Sequence, residues 1–270
     1  MARRFSLAHL TVLGCTPAEA THIAAETGYD FVSFRTIALG LVDEPVYPLA
    51  TDKAMLRQTK AALEQTGLKV LDIEVARISD DRAVEDYRGA LENAAELGAR
   101  HVCTIAFGEG GRIAEQFGRL CELARPYGLS VDLEFMPFSD IRDLAQAWDV
   151  VKESGAANAG ILVDTLHFGR SASTLAGLDA IPKSRFHYAQ LCDAAAIVSP
   201  TREDLIKTAR TERFYLGEGV IDVAGIAAHL PDIPFSLEIA HLRRQRELGY
   251  KEFARQCLAS ARRYFEEKSI

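Results

Sequence analysis

The sequence predicts an α/β protein folded as a single (β/α)8 barrel, a TIM barrel, over residues 1–270. Short apolar strand signals alternate with helical patterns from end to end. About eight such units in roughly 250 residues is the arithmetic of a closed parallel barrel. The last strand signal is followed by a full helix, with no linker, charge block or low-complexity segment to mark a second domain. An open doubly wound sheet is the alternative architecture.

The strand signals, in order, are FSLAHLTVLG from Phe5, DFVSFRT from Asp30, KVLDIEVAR from Lys69 and HVCTIAFG from His101. SVDLEFMP from Ser130, GILVDTLHF from Gly160, RFHYAQLCDA from Arg185 and PFSLEIA from Pro234 follow. Each is short, apolar and rich in β-branched or aromatic residues. Between them lie helical stretches. The first has Thr16 as N-cap, Pro17 at the first helical position and Gly28 as terminator. The helices that close on Gly67 and Gly98 read the same way, and a long helix from Tyr250 ends the chain. Two βα connections exceed the usual few residues: IALGLVDEPVYPLAT after the second strand and AAIVSPTREDLIKTARTERFYLGEG after the seventh. Both leave a strand C-terminus, where barrel enzymes build their sites, and are expected to cover a substrate.

The 270 residues are 48% hydrophobic and 26% charged, an ordinary globular composition with ample core. A net charge of −7 argues against a nucleic-acid binder, despite a local patch at Arg243, Arg244 and Arg246. Five scattered cysteines without a C-x-x-C favour a reducing, cytoplasmic setting over a disulfide framework or zinc knuckle. The first residues mimic a signal peptide, but the apolar run is short and broken by His9, so it reads as the first strand. No run is long enough to cross a membrane.

Four consecutive strands share one feature. SVDLE stops at Glu134, GILVD at Asp164, HYAQ at Gln190 and FSLE at Glu238. Any one of these alone is better explained as a cap or an ion-pair partner. Strand ends five to eight of a barrel converge on one mouth, however, and three carboxylates there repel unless a cation sits among them. Three carboxylates and an amide form an all-oxygen set. That set favours one Mn²⁺ or Mg²⁺, with Co²⁺ also admissible, over Zn²⁺.

The segments LEFMP, LVDTLHF, QLCDA, LGEGVID and SLEI resemble the motifs of the sugar phosphate isomerase/epimerase family, whose barrel is that of xylose isomerase. The resemblance covers nearly the whole chain. It implies that Glu134, Asp164, Gln190 and Glu238 are metal ligands and that His167 faces the substrate. Many members carry His where this chain has Gln190. The Q-x-x-D-A and SLEI segments are similar to those of bacterial 3-dehydroshikimate dehydratases, which raises a lyase reading beside the isomerase one.

The expected activity is therefore a metal-dependent isomerase or epimerase of a sugar, sugar phosphate or polyol ketone, working through an enediolate. Glu134 and Glu238 would be its acid/base pair. A 3-dehydroshikimate-type dehydratase with His167 as base is the alternative. Further substrate contacts are expected from Glu74 and Arg77, which close the third strand, and from His241 and Arg244, just past Glu238. Arg77 resembles a substrate-contacting arginine of the dehydratase branch. His187, an odd number of positions from Gln190, is kept as a contact although strand alternation points it toward the helices. Asp193 could orient a ligand, and FGEGG at 107–111 could cradle an anion. The expected partner is a small molecule, with neither nucleic acid nor membrane, and a homo-oligomer is left open. A zinc nuclease of the same barrel group is disfavoured by the acidic balance and only seven histidines. A non-catalytic scaffold would bind no metal.

Overall fold

A computed structural model describes residues 3–40, 44–108 and 110–268. Eight parallel strands close into a barrel in chain order, with β8 pairing back onto β1. The strands are β1 (Phe5–Leu7), β2 (Phe31–Arg35), β3 (Lys69–Ile78) and β4 (His101–Ala106), then β5 (Ser130–Glu134), β6 (Ala159–Asp164), β7 (Ala189–Leu191) and β8 (Phe235–Leu237). The outer ring is α1 (Pro17–Thr27), α2 (Lys53–Thr66), α3 (Arg88–Glu96), α4 (Gly110–Ala124) and α5 (Leu144–Ser154). It continues with α6 (Thr165–Gly169), α7 (Leu175–Ala180), α8 (Arg202–Thr211), α9 (Val223–Ala228), α10 (Leu242–Leu248) and α11 (Tyr250–Lys268).

The helix starts follow the residues expected to make them. Thr16 forms a capping box with Glu19 ahead of α1, and Gly28 ends that helix in the left-handed region at φ 89°. Two strand expectations are too long. The first strand stops at Leu7, because the chain turns into a 3-10 helix over His9–Val12. There His9 Nε2 reaches Cys15 O at 2.9 Å, and the Thr11 hydroxyl donates to Leu237 O at 2.8 Å. The seventh strand is only three residues, since Lys183–Arg185 form a 3-10 turn.

The larger hydrophobic cluster lies between strands and helices, and a smaller one, including Phe31, Leu71, Cys103, Leu162 and Tyr188, fills the barrel interior. Strand alternation places Asp132 and Glu134 on the same inward face, with Asp132 nearer the N-terminal pole and Glu134 at the mouth. β3 carries register shifts against both neighbours, between Val70 and Ile73 against β2 and between Ile73 and Ala76, around Glu74, against β4. Such bulges re-aim side chains at barrel rims.

The long connection after β7 is not loose loop. Thr201 caps α8 with a capping box, and the chain then recrosses the mouth. Isolated bridges tie Phe214 to Asp193 and Glu212 to His241, so residue 213 is clamped between the ends of β7 and β8. The connection after β2 includes residues 41–43, which lie outside the described residues.

Candidate functional site

The four strand-end residues arrive buried at the mouth, with exposures of 7% for Glu134, 0% for Asp164, 1% for Gln190 and 4% for Glu238. Asp164 is register partner of Gln190, and Glu238 donates its backbone N–H to Leu191 O. His167 sits one helical turn after Asp164 on α6. Its Nε2 lies 3.7 Å from Glu134 Oε1 and 4.0 Å from Asp164 Oδ2. One donor atom from each of Glu134, Asp164 and His167 falls within 4.8 Å of the others.

Glu238 joins this group through a residue the sequence reading missed. The clamped Arg213 reaches Asp164 Oδ2 with Nη1 at 2.6 Å and Glu238 Oε2 with Nη2 at 2.8 Å. Its Nε donates to Ala209 O at 2.7 Å and its Nη1 also to Glu238 O at 3.1 Å. A second guanidinium, Arg35 at the end of β2, bonds Glu74 Oε2 at 3.2 Å and lies 3.9 Å from Glu238 Oε1. Arg35 closes its strand as visibly as Glu134 closes β5, so the strand-end rule could have found it. Arg213 had no comparable signal beyond the arginine-rich stretch RTERF.

Electrostatics follow from this placement. Burial, then Glu238 and Asp164, push the Glu134 carboxyl well above its ordinary range. Burial also pushes Asp164 upward, but Arg213 and His167 outweigh it and hold that carboxyl low. Burial raises Glu238 to about 8 against the pull of Arg213. His167 is lowered to about 4 by burial and is neutral at physiological pH.

A divalent cation fits this donor set. Fully ionised, Glu74, Glu134, Asp164 and Glu238 would set four negative charges against the Arg35 and Arg213 guanidiniums, an excess that one divalent ion would balance. The raised Glu134 and Glu238 carboxyls reflect burial and that crowding. The carbonyl oxygen of Gln190 is buried and finds no hydrogen-bond partner among the described residues, as a neutral ligand awaiting a cation would be.

Above these groups opens a cavity of about 380 Å³. One wall is apolar, with Leu39, Ile105, Phe107, Met136 and Phe138; Glu134, His167, Arg213 and Glu238 form the floor. Arg77, Arg202 and Arg210 stand around it. Arg77 lies over the Phe107 ring at 5.1 Å, and its buried Nε finds no hydrogen-bond partner among the described residues. A larger groove of about 860 Å³ between α8 and α10 contains none of the four strand-end residues.

Four expected substrate contacts do not line this cavity. Glu74 is buried behind it and turned to Arg35. His241 lines the neighbouring groove, its ring stacked on Phe214 at 6.2 Å. Arg244 pairs with Glu218 at 2.7 Å and lies over Tyr215 at 4.3 Å. His187 is at the opposite pole, bonded to Asp132 at 2.6 Å, because it precedes the short β7 and curls under the barrel floor. Asp193 orients no strand-end ligand. It accepts from the backbone of Gly217, Gly219 and Ile221 and so pins the turn that leads out of the recrossing segment. In the 107–111 segment Glu109 lies outside the described residues, and the Gly108 amide is already donated to Asp140.

A closed (β/α)8 barrel with buried carboxylates and a neutral histidine at its C-terminal mouth defines the class. The model of the xylose isomerase-like TIM barrel family matches residues 22–259, and the chain belongs to that family. It is 27% identical over 144 residues to a 3-dehydroshikimate dehydratase of Pseudomonas aeruginosa, covering 52% of this chain but 22% of that protein. It is 25% identical over 191 residues to an inosose isomerase of Bacillus licheniformis, covering 66% of each. The chain thus spans less than two thirds of the length of either relative. Among solved structures, the IOLI protein with a binding zinc atom superposes with a TM-score of 0.81 at 18% identity over 98% of both chains, a likeness of fold.

Proposed function

We propose that this chain is a divalent-metal-dependent isomerase or epimerase of a sugar, sugar phosphate or polyol ketone. The observation that carries the reading is the joint burial of Glu134, Asp164, Gln190 and Glu238 at one mouth, with the Gln190 carbonyl unpaired among the described residues. Those four residues would hold the ion. The oxygen-only set favours Mn²⁺ or Mg²⁺, with Co²⁺ admissible. When bound, the ion supplies Lewis-acid stabilisation of negative charge developing on a carbonyl.

The chain's own residues do the rest. Glu134, with His167 beside it and ionised once the charge of Glu238 and Asp164 is offset by the ion, takes the proton from the carbon next to the carbonyl. Glu238, on the far side of Asp164 and Gln190, returns a proton to the other face or to the neighbouring carbon. Arg213 holds Asp164 and Glu238 in place through the cycle. Phe107, Met136 and Phe138 keep water from the carbanion. Free thiols at all five cysteines support a cytoplasmic setting.

A second reading rests on Arg77. Its Nε, unpaired among the described residues, suits a substrate carboxylate, and with the amide at Gln190 it supports a dehydratase of the 3-dehydroshikimate type. There His167 would take the proton and a β-hydroxyl would leave. Incubating Mn²⁺-loaded protein in D₂O, separately with ketohexoses, keto-inositols and 3-dehydroshikimate, tests both. Deuterium entering recovered ketone without dehydration supports the isomerase. A strongly absorbing conjugated product from 3-dehydroshikimate supports the lyase instead, and a result with neither exchange nor a conjugated product from any ketone contradicts both.

A further inference from the structure

The barrel has a second cluster of ligand-type side chains, at the pole opposite the mouth. His101 opens β4, Asp132 lies two residues before Glu134 on β5, and His187 immediately precedes Tyr188 and β7. We infer that His101, Asp132 and His187 form a second metal site, for a borderline divalent ion such as Zn²⁺.

The chain makes room for this cluster. Gly160 is in the same inward register as Asp164, four residues further along β6. A Cβ at Gly160 would overlap Asp132 Oδ1 and His187 Nδ1, so the missing side chain is the space those two residues occupy. The imidazole planes of His101 and His187 are 8° from parallel with centroids 5.7 Å apart, so a ring must turn about its Cβ–Cγ bond for the two in-plane lone pairs to meet at one ion. One donor atom from each of the three residues lies within 4.8 Å of the others.

Distances suit a small tetrahedral ion. His187 Nδ1 is 2.6 Å from Asp132 Oδ1, and His101 Nδ1 is 3.7 Å from Asp132 Oδ2. Ligands at Zn–N and Zn–O lengths stand about 3.4 Å apart around a tetrahedral centre. The two contacts run to different oxygens of Asp132, so the carboxylate must bind through both or turn; the first contact then opens by less than about 1 Å and the second closes slightly. His101 Nδ1 pairs with the Ser130 hydroxyl oxygen at 2.7 Å and His187 Nδ1 with Asp132 Oδ1 at 2.6 Å. To bind an ion, each imidazole would give up that contact, carry its proton on Nε2 and offer the Nδ1 lone pair. His187 is 24% exposed and His101 14%, so water can fill the remaining position.

Charge argues the same way. Asp132 is fully buried, and its partners are the Ser130 hydroxyl, His187 and, further off, His101. None of these is a permanent cation. A buried carboxylate without one is costly, and an ion held between it and two imidazoles removes the cost. Two nitrogens and one oxygen select a borderline ion, whereas the oxygen-only mouth selects a hard one. The two poles would therefore sort different metals.

The test is equilibrium dialysis of chelator-treated protein against Zn²⁺, comparing the natural chain with His101→Gln and His187→Gln. The natural chain should bind one more Zn²⁺ per chain than either variant and gain more in Tm on Zn²⁺ addition. Equal counts in the folded variants and the natural chain would overturn the site and leave a Ser–Asp–His hydrogen-bond network only. Should neither variant fold, the ring proton resonances of His101 and His187 in the natural chain decide. They must shift as the first equivalents of Zn²⁺ are added, and rings that stay unmoved at saturation overturn the inference.

Discussion

Arg213 shows how much one residue can set. Its guanidinium is wedged between two carboxylates whose sequence positions are 49 and 25 residues away. It was invisible to a strand-end reading because it belongs to no strand; only the recrossing segment places it. His9 carries a different single-residue consequence. The Arg35 backbone N–H donates to its Nδ1 at 2.8 Å, so Nε2 bears the proton given to Cys15 O, and the ring is neutral. Burial lowers its pKa to about 4, below the ordinary 6.5. Above pH 6.5 neither folded nor unfolded His9 is charged, and no penalty arises. As pH falls from 6.5 toward 4, only the unfolded chain takes the proton, so stability is lost across that window. The full loss is about 3 kcal/mol. Urea unfolding at pH 7 and at pH 4.5 should show a larger drop for the natural chain than for His9→Gln. Equal drops would contradict this assignment.

At the scale of elements, the segment from β7 to α9 governs the mouth. Asp193, just past β7, accepts from the amides of Gly217, Gly219 and Ile221 at 3.1, 2.9 and 3.0 Å. Gly219 must be glycine, since a Cβ there would overlap Ala194 O and Asp193 Oδ1. The motif LGEGVID was legible in the sequence as a resemblance; its physical reason is this latch. Asp193→Ala should speed amide hydrogen exchange at Gly217, Gly219 and Ile221 by about tenfold or more, the loss of roughly 1.5 kcal/mol of local protection. Amides in β4 and β5 should keep their rates. Exchange unchanged at the three amides would show that the turn holds itself. The long loop after β7 was readable as an excess of length, but the bridges of Phe214 and Glu212 that fold it over the barrel depend on contacts distant in sequence.

For the whole molecule, the fold was legible because eight apolar runs and their glycine-ended helices each carry a local signal. Barrel closure then brings Glu134, Asp164, Gln190 and Glu238 to one mouth, and alternation alone predicts their inward aim. Residues beyond strand ends were harder to place. His241 and Arg244 follow Glu238 closely but turn into the groove beside α10, and His187 belongs to the other pole. Sequence proximity to a ligand does not fix direction once the strand has ended. The resulting molecule has an oxygen-rich, arginine-flanked mouth and an imidazole-rich base, joined by an interior that packs apolar side chains beside the buried Ser6, Ser33 and Asp72.

The central claim is that oxygen donors from the last four strands grip one divalent ion. Gln190 tests it best, because replacing it with Leu changes no charge and leaves no carboxylate unpaired. Mn²⁺ titration of chelator-treated protein, followed by calorimetry, should give one Mn²⁺ bound at the mouth of the natural chain. Gln190→Leu, verified as folded, should bind it about tenfold or more weakly. Equal Mn²⁺ affinity in the two proteins, or none in the natural chain, would contradict it.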